Sequence, residues 1–458
     1  MSEQLTTSFV AETMRARGYR VIDGPDGDVT GGAADSRNVR PGDLFTAFPG
    51  ENTDGNEYVA QALANGAIAA ICEHAPEGEW PGRTIVVAPD ATRAVGELAQ
   101  AWRRECRTPV VGITGTVGKT TAKGLTSAVL SQRFRTHKSE GNFNSREGLP
   151  LAIMSLRRDD EVSVLEMGMD SAGEIAYLCG IAQPVVGIVL NIGLTHISKL
   201  GSVEAIAREK LALPRFLAET GTAVLNADDP RIAGVADEIS ARAITFGKTE
   251  SANLLCGPVT DHGLAGTTFD VSFEGNTARV DSPLAGEHTV PAALAAIGAA
   301  LAMGMSLEEA ASAVSNSNAA GRARVLPGLN DSTIIDDRYN SSPASLTGAL
   351  GMLAGLPGRR IALLGRMAEL GDFEEAEHRA AGRIAATSCD VLAAAGEECR
   401  VLIEAAQGFG HADAHWFHAR EEAAAYVRDQ LRAGDYVLVK ASRGAAFETI
   451  LPMLGAAS

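Results

Sequence analysis

The chain has 458 residues, more than one hydrophobic core usually supports, and we expect three domains. Apolar residues make up 45% of the chain and charged residues 21%, a composition typical of a well-packed globular α/β protein. The formal net charge of −17 argues against nonspecific binding to nucleic acid or to an anionic membrane surface, so an anionic substrate would need a local basic pocket.

The cysteines and the first residues bear on the cellular compartment. The six cysteines form no C-x-x-C pair and lie mostly in apolar surroundings, which predicts reduced, buried thiols and neither a zinc site nor a disulfide framework. The segment 1–4 carries no signal-peptide pattern, and no uncharged stretch is long enough to span a membrane. We therefore expect a cytoplasmic protein without membrane insertion.

The N-terminal part, residues 1–108, has the pattern of a small α/β domain. Short apolar runs such as 44–48 and 67–71 are separated by turn-forming segments at 41–43 and 54–56. These runs predict short strands.

The central part, residues 109–320, alternates between predicted strands and helices. Strands are expected near 109–113, 161–166, 185–190 and 222–225, and amphipathic helices near 120–132 and 202–217. Such alternation predicts a doubly wound parallel sheet of the P-loop type.

The C-terminal part, residues 321–458, follows an alanine-rich helix expected near 290–303. Further strands are predicted to begin at Thr333, Arg360, Asp390 and Tyr436. We expect a third, Rossmann-like α/β domain here.

The stretch 110–121 passes from a β-branched strand through three glycines to Lys-Thr-Thr. Glycines allow backbone N–H groups to approach a polyphosphate, Lys119 supplies a charge, and Thr120 can reach Mg²⁺. The spacing differs from the strict phosphate-loop motif, because Ile113 occupies its first glycine position and Gly112 lies one residue earlier. A glycine-rich turn before an ordinary helix is the alternative, but the Gly-Lys-Thr-Thr context favours binding of a nucleoside triphosphate.

Polar residues at strand ends are candidates for chemistry, because ligands of open parallel sheets bind there. Glu166 ends one predicted strand and could hold Mg²⁺, whereas His196 follows the next strand and would belong to a second metal site, since Mg²⁺ prefers oxygen. Each residue alone could be an ordinary surface group, but their placement on successive strands favours function. Periodicity alone indicates that Lys210 is a solvated surface lysine. The segment 336–340 is either a turn or a nucleotide contact.

Several separated motifs occur in order along nearly the whole chain: Asp35–Phe45 with Asp54-Gly55, Gly115–Thr121, Gly141–Asn144, Glu166–Gly168, Asn191–Gly193 with His196, Asn226–Pro230, Asp337–Pro343 and Val439–Gly444. Together they resemble the Mur ligases, the ATP-dependent amide-forming enzymes of peptidoglycan precursor synthesis. Within this family the pattern is similar to members that add D-alanyl-D-alanine to UDP-N-acetylmuramoyl-tripeptide.

The resemblance implies a mechanism in which the tripeptide carboxylate attacks the γ-phosphate of ATP and an amine captures the acyl phosphate. It implies two Mg²⁺ ions, a carbamylated Lys210, and a monomer whose successive domains bind the UDP-muramoyl substrate, ATP and the incoming dipeptide. The implied catalytic residues are Lys119, His196, Lys210 and Arg322, and the metal ligands are Thr120, Glu166, His196 and Lys210. The implied nucleotide contacts are Gly115, Thr116, Gly118, Lys119, Thr120, Thr121, Asn191, His288, Arg322, Asp337 and Asn340. The implied substrate contacts are Ser36, Arg37, Asp54, Gly55, Asn142, Asn144, Lys440, Ser442 and Arg443.

The chain also departs from the family pattern. Thr289 and Ala292 replace two asparagines expected to recognise adenine, Ser342 replaces another asparagine, and Arg366 replaces an acid. Two alternatives stay open: a ligase of the same superfamily that adds a third amino acid or acts on folate or cyanophycin-like acids, and a non-catalytic nucleotide-binding paralogue. The segment 35–37 favours a UDP-muramoyl substrate, and the retained polar site residues argue against loss of turnover.

Overall fold

Three large β-sheets, each covered by helices, follow one another along the chain. The structure is a computed structural model and describes residues 3–50, 53–318 and 323–456. The predicted three-unit α/β architecture is confirmed. We keep 1–108, 109–320 and 321–458 as the proposed domain boundaries.

The N-terminal sheet has five strands in the order β2-β7-β6-β5-β4, of which β4 to β7 are parallel and β2 is antiparallel to β7. A separate two-stranded ribbon pairs β1 with β3. The elements are β1 Leu5–Thr6, α1 Thr7–Ala16, β2 Arg20–Ile22, β3 Asp28–Val29, β4 Gly31–Ala33, β5 Asp43–Thr46, α2 Val59–Ala64, β6 Ala69–Cys72, β7 Thr84–Val87 and α3 Ala91–Cys106.

The central sheet has ten strands, and its parallel part runs β9-β10-β8-β11-β12-β13-β14. Antiparallel β16 extends it at one edge and pairs with β14, β15 and β17. The elements are β8 Val110–Thr114, α4 Lys119–Leu130, β9 Thr136–Lys138, α5 Gly148–Ile153, β10 Val162–Glu166, α6 Glu174–Ala182, β11 Val186–Val189, α7 Ile197–Leu200, α8 Val203–Lys210, α9 Ala212–Phe216, β12 Thr222–Asn226, α10 Pro230–Ala233, β13 Arg242–Gly247, β14 Leu254–Cys256, β15 Thr260–Asp261, β16 Thr267–Phe273, β17 Asn276–Ser282, α11 Val290–Ala302 and α12 Leu307–Ser315.

Two features of the central unit differ from the sequence prediction. The helix expected over 202–217 is two helices, α8 and α9, that meet at Leu211. Pro214 explains the break, because its ring conflicts with the carbonyl four residues earlier. The hairpin of β16 and β17 was not predicted. Its turn is Glu274-Gly275, with φ of 48° and 82°, and two such left-handed residues match the twist of paired strands.

The C-terminal sheet has six strands in the order β18-β19-β23-β20-β21-β22, all parallel except β18. The last strand is therefore inserted between the second and the third. The elements are β18 Arg324–Pro327, β19 Thr333–Asp336, α13 Pro343–Ala354, β20 Arg360–Leu364, α14 Glu374–Ser388, β21 Val391–Ala395, α15 Arg400–Gly408, β22 Ala414–Phe417, α16 Arg420–Gln430 and β23 Tyr436–Lys440.

The first two units share one apolar core, which includes residues of β5, α3, α5 and α6. Trp102 of α3 is fully buried, and its indole N–H donates to the carbonyl of Leu156 over 2.8 Å. A Cβ at Gly32 would lie 2.9 Å from the Cα of Leu151, so the N-terminal sheet and α5 approach at backbone distance. This contact fixes the N-terminal unit beside the central sheet.

All six cysteines are buried and free, as the sequence predicted. Burial raises the pKa of these thiols, for example that of Cys72 to about 11. None of the helices in the described ranges is long and apolar enough to cross a membrane.

Candidate active site

The phosphate loop joins β8 to α4 at the carboxyl end of the central sheet. Gly118 is the N-cap of the 12-residue helix α4 and has φ of 82°, a conformation that favours glycine. Asn191, which follows β11, holds the loop from the side: its Oδ1 accepts from the N–H of Val117 over 2.8 Å, and its Nδ2 donates to the Val117 carbonyl over 3.1 Å. The loop thus presents a helix N-terminus, a favourable place for an anion.

Lys119 and Thr120 follow directly on the first turn of α4. The Lys119 ammonium donates to the carbonyls of Gly115 and Thr116 over 2.8 and 3.1 Å, so it lies across its own loop. The Thr120 hydroxyl donates to Oε2 of Glu166 over 2.9 Å. The predicted lysine, hydroxyl and carboxylate are therefore brought together.

Glu166 at the end of β10 is a buried carboxylate with only 1% of its surface exposed. Burial by itself raises the pKa of Glu166, but the positive charges of Lys119 and Lys123 and hydrogen bonds from Asn144 and Thr120 bring it below its usual value. Lys123 was missed by the sequence analysis, although its position one turn after Lys119 was a signal.

Lys210 is 1% exposed and donates to the carbonyl of Gly115 over 2.9 Å. Burial lowers the pKa of Lys210 well below its usual value, the charge of Lys119 lowers it further, and Glu209 opposes the shift. The interpretation of Lys210 as a solvated surface lysine, drawn from periodicity, is wrong. The end of α8 faces the phosphate loop, which helix periodicity alone does not reveal.

His196 lies in the loop after β11, with φ of 56°, and immediately precedes α7. Its Nδ1 is 3.0 Å from Oδ1 of Asp170 and 2.7 Å from Oε2 of Glu369. Glu369 belongs to the C-terminal unit, and the proximity of His196 lowers its pKa. The sequence analysis identified neither acid, because each is distant from His196 along the chain.

The C-terminal unit contributes a second set of predicted residues. Lys440, 1% exposed, lies 2.5 Å from Oδ2 of Asp337 and donates to the carbonyl of Asn340 over 3.0 Å. The buried Ser442 hydroxyl accepts from the N–H of Ala368 over 2.9 Å and donates to the carbonyl of Ser341 over 3.1 Å. These contacts fix the segment 337–342 against the end of β23.

A cleft of about 840 Å³ separates the central and C-terminal units and collects most of the predicted site. The predicted residues that line it are Thr116, Gly118, Lys119, Thr121, Asn142, Asn144, Glu166, Asn191, His196, Lys210, His288, Asp337, Asn340, Lys440, Ser442 and Arg443. Arg322 lies outside the described residues.

The predicted substrate residues of the N-terminal unit are not among the residues lining this cleft. Ser36 is buried and donates to Oε1 of Gln61 over 2.9 Å, whereas the exposed Arg37 pairs with Asp35 at 2.7 Å. Asp54 accepts from the N–H of Asn56 over 2.9 Å. A Cβ at the adjacent Gly55 would lie 2.6 Å from the Phe48 carbonyl oxygen, so this position has room only for glycine.

The departures from the family pattern fall in different places. Thr289 and Ala292 line the cleft, and the Thr289 hydroxyl donates to the Gly286 carbonyl over 2.7 Å. The Ser342 N–H at the start of α13 donates to the Ser345 hydroxyl over 2.9 Å. Arg366 is not among the lining residues. It pairs with Glu374 at 2.5 Å and Glu398 at 3.0 Å within the C-terminal unit.

Comparison with known protein families assigns the three units in turn. Residues 28–107 match the model described as Mur ligase family, catalytic domain, and residues 113–300 match the Mur ligase middle domain. Residues 321–443 match the model described as Mur ligase, glutamate ligase domain.

Individual relatives match over nearly the full length. The UDP-N-acetylmuramoyl-tripeptide--D-alanyl-D-alanine ligase of Bacillus subtilis is 33% identical over 429 residues, which cover 92% of each chain. A crystal structure of MurF from Acinetobacter baumannii superposes with a TM-score of 0.86 at 28% identity and covers 99% of both chains. MurF ligase from Thermotoga maritima, solved in complex with ADP, gives 0.78 at 26% identity and covers 93% of this chain and 97% of its own. The chain therefore belongs to the Mur ligase family.

Proposed function

We propose that this chain is an ATP-dependent ligase that joins D-alanyl-D-alanine to UDP-N-acetylmuramoyl-tripeptide, in the cytoplasm and as a monomer. The observation that carries the proposal is the convergence of the phosphate loop, Glu166 and Lys210 on one interdomain cleft, in a chain similar over 92% of its length to a ligase of that name. The ADP complex of the relative from Thermotoga maritima supports ATP as the nucleotide.

The reaction has two steps. A carboxylate oxygen of the tripeptide attacks the γ-phosphorus of ATP, and the bond to the ADP oxygen breaks, which leaves an acyl phosphate. The free amine of the dipeptide then attacks the acyl carbon, loses a proton, and phosphate leaves. Since phosphoryl transfer depends mostly on positioning and charge neutralisation, the loop N–H groups and Lys119 would hold the triphosphate.

The residues present fit two magnesium ions. Within residues 3–50, 53–318 and 323–456, no cluster of three or more His, Cys, Asp or Glu could hold a metal, so phosphate oxygens would complete the coordination. Thr120 and Glu166 offer the first ion a hydroxyl and a carboxylate, both oxygen ligands. Bound Mg²⁺ would neutralise charge that develops on the transferring phosphoryl group.

Lys210 and His196 are proposed to hold the second ion. A carbamate forms when a neutral amine adds to carbon dioxide, and the lowered pKa of Lys210 favours that neutral form. The carbamate would present a negatively charged oxygen ligand where the unmodified side chain presents an amine. A protonated lysine could not serve in this role.

The remaining predicted residues keep their proposed roles. Ser36, Arg37, Asp54 and Gly55 of the N-terminal unit and Asn142 and Asn144 of the central unit would bind the UDP-muramoyl substrate. In the C-terminal unit, Lys440, Ser442 and Arg443 would face the dipeptide. The contacts of Lys440 with Asp337 and Asn340 would also keep those two residues in place for the nucleotide. Asn191 would shape the phosphate loop, and His288 would border the base. Arg322 would act on closure.

The proposal is tested by measuring phosphate release from ATP with each substrate alone and with both. We expect release only when the tripeptide and the dipeptide are both present, with the amide product appearing in equal amount. Lys119→Ala should lower this rate by about 100-fold or more, because it removes charge that stabilises the transferring phosphoryl group. Release with a different amino acid in place of the dipeptide would identify the alternative ligase, and absence of turnover with all acceptors would identify a non-catalytic paralogue.

A further inference from the structure

Lys123 is a buried cation of the site to which the reaction above gives no role. It lies on α4, three residues after Thr120, so the two side chains share one face of the helix. Only 4% of its surface is exposed. A lysine buried to this extent requires compensating partners.

Two partners of Lys123 lie outside α4, one in the loop after β9 and one at the end of β10. Its ammonium donates to the carbonyl of Gly141 over 2.8 Å and lies 3.7 Å from Oε2 of Glu166. The Gly141 carbonyl therefore fixes the ammonium beside the carboxylate. Glu166 in turn accepts from Asn144 over 2.7 Å, so both ends of the segment 141–144 are tied to this ion pair.

Lys119 and Lys123 both place positive charge near this carboxylate, but their hydrogen bonds differ. The Lys119 ammonium donates to carbonyls of the phosphate loop, and in the proposed reaction it serves the nucleotide phosphates. The Lys123 ammonium donates to the Gly141 carbonyl and lies beside Oε2 of Glu166. The two lysines, four residues apart on one helix, are thus held by different segments.

We propose that Lys123 is a positioning residue for phosphoryl transfer, which holds the Glu166 carboxylate in the place where it meets the metal ion of the nucleotide. Its effect runs through Glu166 and requires no contact with the substrates. This inference rests on the proposed function, because it concerns the same metal site.

The test compares Lys123→Met, which keeps the length of the side chain but removes its charge, with Lys138→Met, an exposed lysine at the end of β9. ADP binding is measured by calorimetry with and without Mg²⁺, alongside the unfolding temperature. We expect Lys123→Met to reduce the gain in ADP affinity that Mg²⁺ provides by about 10-fold or more, as loss of a group that orients a metal ligand does. Binding without Mg²⁺ should change by less than about threefold, as should every value for Lys138→Met.

A double-mutant comparison covers the case in which Lys123→Met leaves an uncompensated buried charge and fails to fold. In the Glu166→Gln protein that carboxylate charge is absent, and adding Lys123→Met should then change Mg²⁺-dependent ADP binding by less than about threefold. The proposal would be overturned if Mg²⁺ raised ADP affinity equally in Lys123→Met and in the unmodified protein. It would also be overturned if adding Lys123→Met to Glu166→Gln abolished Mg²⁺-dependent ADP binding. If the unmodified protein binds ADP with Mg²⁺ but releases no phosphate with both substrates, the proposed ligase function is contradicted. The comparison of Mg²⁺-dependent ADP binding between Lys123→Met and the unmodified protein then still tests the role of Lys123.

Discussion

At the scale of single residues, the site depends on ionisable side chains that have been removed from water. Glu166, Lys210 and Lys440 are each 1% exposed, and each has a polar or charged partner within hydrogen-bonding distance. Burial of an ionisable group without such a partner costs several kcal/mol, so the partners hold these side chains in place before any ligand binds. Preorganised polar and charged groups of this kind are what phosphoryl transfer requires.

Lys210→Ala should lower ligation by about 100-fold or more, because it removes the carbamate proposed to hold the second Mg²⁺, and that ion would neutralise charge near the reacting phosphoryl group. A short carboxylate added to the buffer should partly restore the rate, since it can occupy the place of the carbamate. The measurement is the rate of phosphate release at increasing acetate concentration, with Lys138→Ala as an exposed-lysine control. Near-normal turnover of Lys210→Ala would show that the carbamate is not needed.

The replacement of two family asparagines by Thr289 and Ala292 predicts weak discrimination of the base. Each missing amide removes hydrogen bonds to a purine, worth roughly 0.5–1.5 kcal/mol. GTP should therefore compete better with ATP than in relatives that have both asparagines. Thr289→Asn with Ala292→Asn should tighten ATP selectively in a competition assay. Strict preference for ATP in the unmodified protein, unaffected by the double substitution, would mean that other groups recognise the base.

At the scale of elements, a buried histidine of β9 contacts two neighbouring elements of the central unit, β10 and α5. His137 of β9 contacts the Ser163 hydroxyl of β10 at 2.8 Å and the Ala152 carbonyl of α5 at 3.2 Å. Burial lowers its pKa to about 4, and the bond to Ala152 opposes this shift. The imidazole is therefore neutral in the folded protein at pH values where an exposed histidine is protonated.

The unfolding free energy should consequently decrease as the pH falls from about 6.5 to about 4. In this range the unfolded chain takes up a proton at His137 that the folded chain does not, and the difference in pKa corresponds to roughly 3 kcal/mol. Urea unfolding of the unmodified protein and of His137→Gln at several pH values measures this contribution. The difference in unfolding free energy between the two proteins should vary with pH over this range and be constant above pH 7. A constant difference throughout would contradict the assignment.

At the scale of the whole molecule, the C-terminal unit meets the central unit at two places beside the cleft. Glu369 approaches His196 to 2.7 Å. A Cβ at Gly348 of α13 would lie 2.8 Å from the Cβ of His288. Closure of the two units over a reactive acyl phosphate excludes water. Because these contacts determine how closely the units approach, they affect the rate of turnover.

Gly348→Ala should lower the ligation rate, because α13 and His288 could not both keep their positions. Gly351→Ala is the matched control on the same helix, since a Cβ there has no neighbour within 4 Å. The control should keep full activity and gain about 0.5–1 kcal/mol of stability from its helix propensity. Small-angle scattering with ADP should show a more open Gly348→Ala protein. Equal rates and equal dimensions for the two variants would show that this contact does not limit closure.

The sequence by itself determined the features that depend on local pattern. Many central strands of the three sheets, the helices α4 and α11, the phosphate loop and the buried cysteines follow from hydrophobic periodicity and from glycine and lysine placed next to a strand. Local chemistry did not indicate the Glu274-Gly275 hairpin, because this turn lacks the usual Asn-Gly or Asp-Gly pair. The break at Leu211 differs, because Pro214 is a local signal for it that was overlooked within an otherwise helical pattern.

Only the tertiary structure decided which polar side chains share an environment. Periodicity assigns Lys210 to a face of its own helix, but its burial results from the phosphate loop 95 residues earlier in the chain. Lys123 meets Glu166 because parallel β8 and β10 are neighbours, and Glu369 reaches His196 because the third unit closes on the second. A residue's charge is specified by the sequence, whereas its pKa and its partners depend on burial and on distances between segments far apart in the chain.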